Sequence, residues 1–192
     1  MNDIKRCKEG KTVSVKNYIF DLNLKDGIRA TMFGTLDGIS TDVLHMPLHM
    51  PGHTSIWWMG ILVFGKGIIP RFGSGIIMGI VSGILAVFMG LGKEGIFVFL
   101  KYFVPGLLID FMAPLFIYKL DSILVGGVCG AIISLSKLFA SILVGILTKI
   151  PLLFLVIGLG YVALSHVIFG AIGGVLASII IKRLKTRIVN VF

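Results

Sequence analysis

Among the charged residues that interrupt otherwise apolar stretches of chain are Asp37, Asp42, Lys101 and Lys137. An ionisable side chain at bilayer depth costs about 2.5–3.5 kcal/mol on insertion scales, so each needs a partner, a wet cavity or a role. Two acids and two bases together could line a polar cavity, neutralise one another when it is empty, and hold a small polar molecule when it is full. The alternative is a set of buried ion pairs, or lysines that snorkel to the membrane surface. Trp57 and Trp58 fit an interfacial aromatic belt, or a platform that stacks on a flat ring. Asp110 and His166 lie at similar distances from the ends of their segments and are expected to form a hydrogen-bonded pair.

The segment HMPLHMPGH, residues 45–53, holds three of the four histidines at spacings of four. On a helix this spacing would align His45, His49 and His53 on one face and suggest a metal site. Pro47 and Pro51 argue instead for a turn-rich loop, which can still gather imidazoles. Met46 and Met50 would add soft ligands suited to nickel, cobalt or copper. A plain interfacial loop explains the same residues. Enzyme signatures are missing: there is no Walker A loop, HExxH or GxSxG, and the glycine-rich runs fall in apolar stretches where a phosphate would be stranded. The chain is therefore expected not to be an enzyme, and to hold no cofactor unless nickel or cobalt is its cargo.

These residues sit in a chain of 192 residues with 56% apolar and 14% charged side chains and a mean hydropathy of +1.01. Soluble domains carry about 25% charged residues, so the composition points to an all-α integral membrane protein. A net charge of +9 could suggest nucleic acid. The bases, however, fall outside the apolar segments rather than on one face with interleaved aromatics, so no nucleic acid partner is expected. Cys7 and Cys129 cannot build a disulfide framework.

Residues 1–27 read as a polar cytoplasmic tail, and residues 28–192 as a membrane domain. Five strong apolar segments are expected to span the bilayer, at 54–69, 73–91, 95–118, 122–147 and 152–181. A sixth, at 28–44, carries Asp37 and Asp42 and suits a helix inside a bundle. Charge decides whether it crosses. With six spans and both termini cytoplasmic, fourteen bases lie inside and only Lys93 and Lys149 outside. Five spans would leave seven inside and nine outside, against the positive-inside bias. The expectation is a six-helix transmembrane bundle with both termini cytoplasmic.

At about 1.5 Å of rise per residue, Asp37, Asp42, Lys101 and Lys137 all fall in the outer half of such a bundle. Pro105-Gly106 is expected to kink the fourth span. Small residues recur every four positions at Ala30, Gly34 and Gly38, at Gly75, Gly79 and Gly83, and at Gly170 and Gly174, each row offering a smooth stripe for close helix packing. The first row lies on a polar, marginal helix that could also meet a partner subunit.

With this layout the chain resembles the substrate-binding S components of energy-coupling-factor (ECF) vitamin transporters. The resemblance covers about Ile28 to the C-terminus. It rests on the six-span layout, the small-residue row in span one, and the PGH turn into span two. The GLGKEG loop before LKYFVPGLLID and the glycine-rich last span ending in KRLKTR add to it. The YFVPGLLID stretch is most similar to the branch associated with thiamine precursors such as hydroxymethylpyrimidine.

The resemblance implies a binding subunit of an ABC-type importer in the plasma membrane of a prokaryote, working with a membrane coupling (T) protein and two cytoplasmic ATPases. The family's Ala-xxx-Ala contact with the coupling protein would fall here on Ala30 and Gly34, with Gly38 continuing the stripe and glycine replacing the second alanine. The expected substrate site comprises Asp37, Asp42, His53, Trp57, Trp58, Lys101 and Lys137. A nickel or cobalt importer using His45, His49 and His53, and a non-transporting membrane interaction protein, remain as alternatives.

Overall fold

The computed structural model describes residues 22–43, 55–91, 95–116, 120, 122–147 and 152–190. Among them the chain is all-helical, with no strand. The helices are α1 (Leu24–Val43), α2 (Ser55–Ile68), α3 (Ser74–Phe88), α4 (Val98–Leu115), α5 (Ile123–Leu147) and α6 (Leu152–Asn190), with a 3-10 turn at Gly95–Phe97 leading into α4. Three stretches, Gly95–Leu115, Ile123–Leu147 and Val162–Leu184, are long and apolar enough to cross a membrane. The apolar helices α2 and α3 are shorter, at 14 and 15 residues.

Helix α1 begins at Leu24, before the expected Ile28, and so takes in Asp26. A carboxylate in the first turn complements the helix dipole, and the Asn23 carbonyl accepts from the Asp26 and Gly27 backbone N–H groups at 2.9 and 3.0 Å. Helix α6 runs on past Ile181 to Asn190. Nothing in KRLKTRIVN breaks a helix, and cations near a helix C-terminus are favoured by the dipole.

Glycine rows set how closely the helices approach. A Cβ on Gly79 would lie 2.9 Å from the Tyr102 carbonyl oxygen, and one on Gly106 would lie 2.5 Å from that of Gly75. Side chains at these positions would force α3 and α4 apart. On the other side of the bundle, Gly126 and Gly130 of α5 meet Gly170 and Gly174 of α6 backbone to backbone. Ala30, Gly34 and Gly38 face inward as well: a Cβ on Gly34 would lie 2.7 Å from the Met78 carbonyl oxygen of α3. The stripe expected to contact a partner is thus occupied by the chain's own third helix.

The register of these contacts gives the helix directions. Gly34 and Gly38 meet Met78 and Leu85 in rising order, so α1 and α3 run the same way. Gly75, Gly79 and Gly83 meet Ile109, Tyr102 and Phe99 in falling order, so α3 and α4 are antiparallel. Gly126 and Gly130 likewise meet α6 in falling order, while Gly60 and Gly67 of α2 meet Gly173 and Ile181 in rising order. The bundle therefore alternates up and down. Lys25 and Arg29 at the start of α1 share one end with Arg71, Lys182 and Arg183, here termed the basic end.

Trp58, Met59, Val63, Met78, Ile109 and Ile133 form the core. From Leu164 to Ile180 the outer face of α6 is apolar, with Leu164, Ile168, Ile172, Leu176 and Ile180 exposed at spacings of four. An uninterrupted apolar stripe of this length is rare on a water-soluble surface and suits contact with lipid.

Candidate functional site

Two polar clusters lie inside the bundle, one toward each end. At the basic end, Lys66 and Asp110 are both fully buried and form an ion pair. Lys66 also donates to the Arg71 carbonyl at 2.6 Å and to Ser74 Oγ at 3.2 Å. The Asp110 carboxylate accepts backbone N–H bonds from Gly73 (3.1 Å), Gly75 (3.1 Å) and Ile76 (2.8 Å) at the start of α3. It thus caps that helix from α4 and satisfies donors the helix leaves open. Gly73, at φ +94°, adopts a left-handed turn that favours glycine and aims its N–H at the carboxylate. At the surface, Arg71 pairs with Asp26 at 2.9 Å and ties the α2–α3 connection to α1.

This arrangement corrects one expectation: Asp110 pairs with Lys66 of α2, not with His166. Equal distances from segment ends proved a poor guide to depth because α6 is 39 residues long, about 58 Å at 1.5 Å per residue. Its start is not level with the other helix ends. Gly170 packs on Gly130 and Ser134, and Gly173 on Ile56, which puts His166 level with the start of α2.

The second cluster lies toward the end opposite the basic one, centred on Lys137 of α5. Its ammonium stands over two aromatic rings, 4.2 Å from the Trp58 centroid and 4.5 Å from that of Tyr102. Trp58 is 1% exposed and Tyr102 5% exposed. A cation held over aromatic faces away from water gains about 2 kcal/mol per favourable contact. The Lys137 charge also acts on Asp37 of α1, Lys101 of α4 and His166 of α6.

The turn before each central residue supplies a serine on the same face, since positions three apart on a helix are neighbours. Ser55 precedes Trp58 and Ser134 precedes Lys137. Both hydroxyls reach His166 Nδ1, at 2.9 and 3.3 Å, joining α2, α5 and α6 behind the lysine.

Asp37 is 3% exposed, and its backbone carbonyl accepts from the hydroxyls of Ser40 and Thr41. The Ser82 hydroxyl of α3, which faces Asp37, donates to the Met78 carbonyl at 2.8 Å. Asp37 makes no ion pair within 4.0 Å among the described residues. Two buried atoms of the cluster have no hydrogen-bond partner there: the acceptor Asp37 Oδ1 and the donor Trp58 Nε1.

Of the expected site residues, Asp37, Trp58, Lys101 and Lys137 are brought together. Trp57 is not: it is 53% exposed, turned away from the cluster. Asp42 belongs to α1, but its side chain, like all of His45, His49 and His53, lies outside the described residues. Among the described residues no group of three or more His, Cys, Asp or Glu side chains is placed to hold a metal.

Tyr102, Ser55, Ser82, Ser134 and His166 are additions of the fold. The serines at three residues before Trp58 and Lys137 offer a usable pattern once those two residues are chosen. Nothing in the sequence singles out Tyr102. No protein-family model, curated protein or solved structure matches the chain.

Proposed function

We propose that this chain is the membrane-embedded substrate-binding subunit of an ECF-type importer. In this reading it has six spans and both termini in the cytoplasm of a prokaryote. It captures a vitamin or vitamin precursor from outside for uptake driven by a coupling protein and two ATPases. The transporter class comes from the sequence resemblance, and two structural features support it. Of the described bases, Lys25, Arg29, Lys66, Arg71, Lys182 and Arg183 gather at one end, as expected of a cytoplasmic face, while Lys101 and Lys137 lie toward the other. The Lys137 cluster is thus on the side where an imported molecule arrives.

The observation that carries the binding role is the pair of unsatisfied buried atoms, Asp37 Oδ1 and Trp58 Nε1. Each buried polar group without a partner costs about 1–3 kcal/mol. A small heterocycle presenting one donor and one acceptor would recover both costs, and the Trp58 and Tyr102 rings offer it apolar walls.

The test is thermal stabilisation of the purified protein in detergent by vitamins, pyrimidines and purines, with mass spectrometry of any molecule that co-purifies. Stabilisation by one such compound, and co-purification with a coupling protein, are expected. No shift with any compound at saturation, together with no partner, would falsify the proposal. A shift given only by nickel or cobalt, and lost when His45, His49 and His53 are replaced by alanine, assigns the cargo to a metal instead.

A further inference from the structure

A cavity of about 570 Å³ opens between the start of α5 and the late turns of α6, lined by Ile123, Ile179, Lys182, Arg183 and Thr186. Its chemistry is divided. Ile123 and Ile179 form an apolar wall, while Lys182, Arg183 and the Thr186 hydroxyl form a polar one with no acid among them. The Thr186 hydroxyl donates to the Lys182 carbonyl at 2.9 Å.

The cavity's depth follows from its position on α6. Lys182 and Arg183 fall in the last turn of the apolar stretch Val162–Leu184. On a helix that crosses a bilayer this is where acyl chains give way to headgroups. An arginine there presents a planar fork matched to phosphate oxygens, and a lysine adds a compact charge.

We propose that this cavity binds an anionic phospholipid, with its phosphate held by Lys182 and Arg183 and an acyl chain laid along Ile123 and Ile179. The divided lining separates this occupant from a free phosphate, which has no use for the apolar wall. The site is distinct from the Lys137 cluster and does not depend on what that cluster binds.

The experiment is native mass spectrometry of the full chain in detergent, titrated with phosphatidylglycerol or phosphatidylcholine. Two bases at a membrane surface favour an anionic headgroup by roughly ten- to thirtyfold, and a preference of that order for phosphatidylglycerol is expected. It should vanish in the K182Q/R183Q variant, whose altered side chains are exposed. Ile179→Trp, which fills the apolar wall while keeping both charges, should also remove it, and decides the question if the double variant does not fold. Equal retention of the two lipids, or an undiminished preference in the variants, overturns the proposal. Equivalent binding of inorganic phosphate alone does so too, because it leaves the apolar wall without a role.

Discussion

Lys137 Nζ stands 4.2 Å from the ring centroid of Trp58, while the neighbouring Trp57, about 100° around the helix, is half-exposed. Only one of two adjacent tryptophans can therefore report on the site. Trp58→Leu should weaken ligand binding by about tenfold to a hundredfold through loss of ring contacts, whereas Trp57→Leu should leave affinity within about twofold. Titration calorimetry on both variants checks this, and equal losses would remove Trp58 from the site.

Asp37 and Lys137 carry opposite charges in the cluster and form no ion pair within 4.0 Å. Asp37→Asn and Lys137→Met should each reduce ligand affinity. The double variant should lose less than the sum of the two, with a coupling of about 0.5–3 kcal/mol as found for interacting groups. A double-mutant cycle read by ligand binding measures it, and strict additivity would mean the two residues act separately.

The buried pair at the basic end bears on stability rather than binding. Lys66→Met leaves the Asp110 carboxylate with its three backbone donors, so the loss should fall toward the lower end of the roughly 3–5 kcal/mol seen for broken buried pairs. Asp110→Leu strands both the ammonium and the start of α3, and should cost more. Thermal unfolding in detergent should rank Asp110→Leu below Lys66→Met, and the reverse order would contradict the capping role.

Glycine positions differ sharply in tolerance. Gly174→Val would drive a side chain into the backbone of Gly126 and separate α5 from α6, so folded yield should collapse. A Cβ on Gly60 would meet only the Gly173 carbonyl oxygen at 3.7 Å, so Gly60→Ala should be neutral or stabilising by about 0.4–1 kcal/mol. Size-exclusion profiles and melting curves distinguish the two cases.

Orientation is open to direct labelling, because Cys129 is fully buried. In a Cys7→Ser background, Met89→Cys should react with an impermeant maleimide on intact cells, and Thr186→Cys only after permeabilisation. The opposite pattern would reverse the proposed topology.

Asp37, Trp58, Lys101 and Lys137 are legible from sequence because a charge or a tryptophan in an apolar helix stands out by its cost or its size. Serines and a tyrosine carry no such signal, so Ser55, Ser82, Ser134 and Tyr102 emerge only when helix faces are known. Helix existence is readable from apolar runs, but relative depth is not. The glycine contacts of α6 with α5 and α2 set its axial position, and that shift moves His166 from a pair with Asp110 to the neighbourhood of Lys137. The small row in α1 illustrates the same limit: spacing reveals a smooth face, but the contact with Met78 reveals what it meets.

Lys66 and its counter-charge Asp110 are 44 residues apart in the chain, and ribosomes make the lysine first. At about 5–20 residues per second, the ammonium waits roughly 2–9 s for the carboxylate that neutralises it. Through that interval Lys66 lacks the Asp110 carboxylate, and α3 lacks the acceptor for its first N–H groups. The α2–α3 hairpin should therefore reach its full stability only once α4 has been made. Truncation before Asp110 should leave the hairpin open to proteolysis, and extension past it should close it.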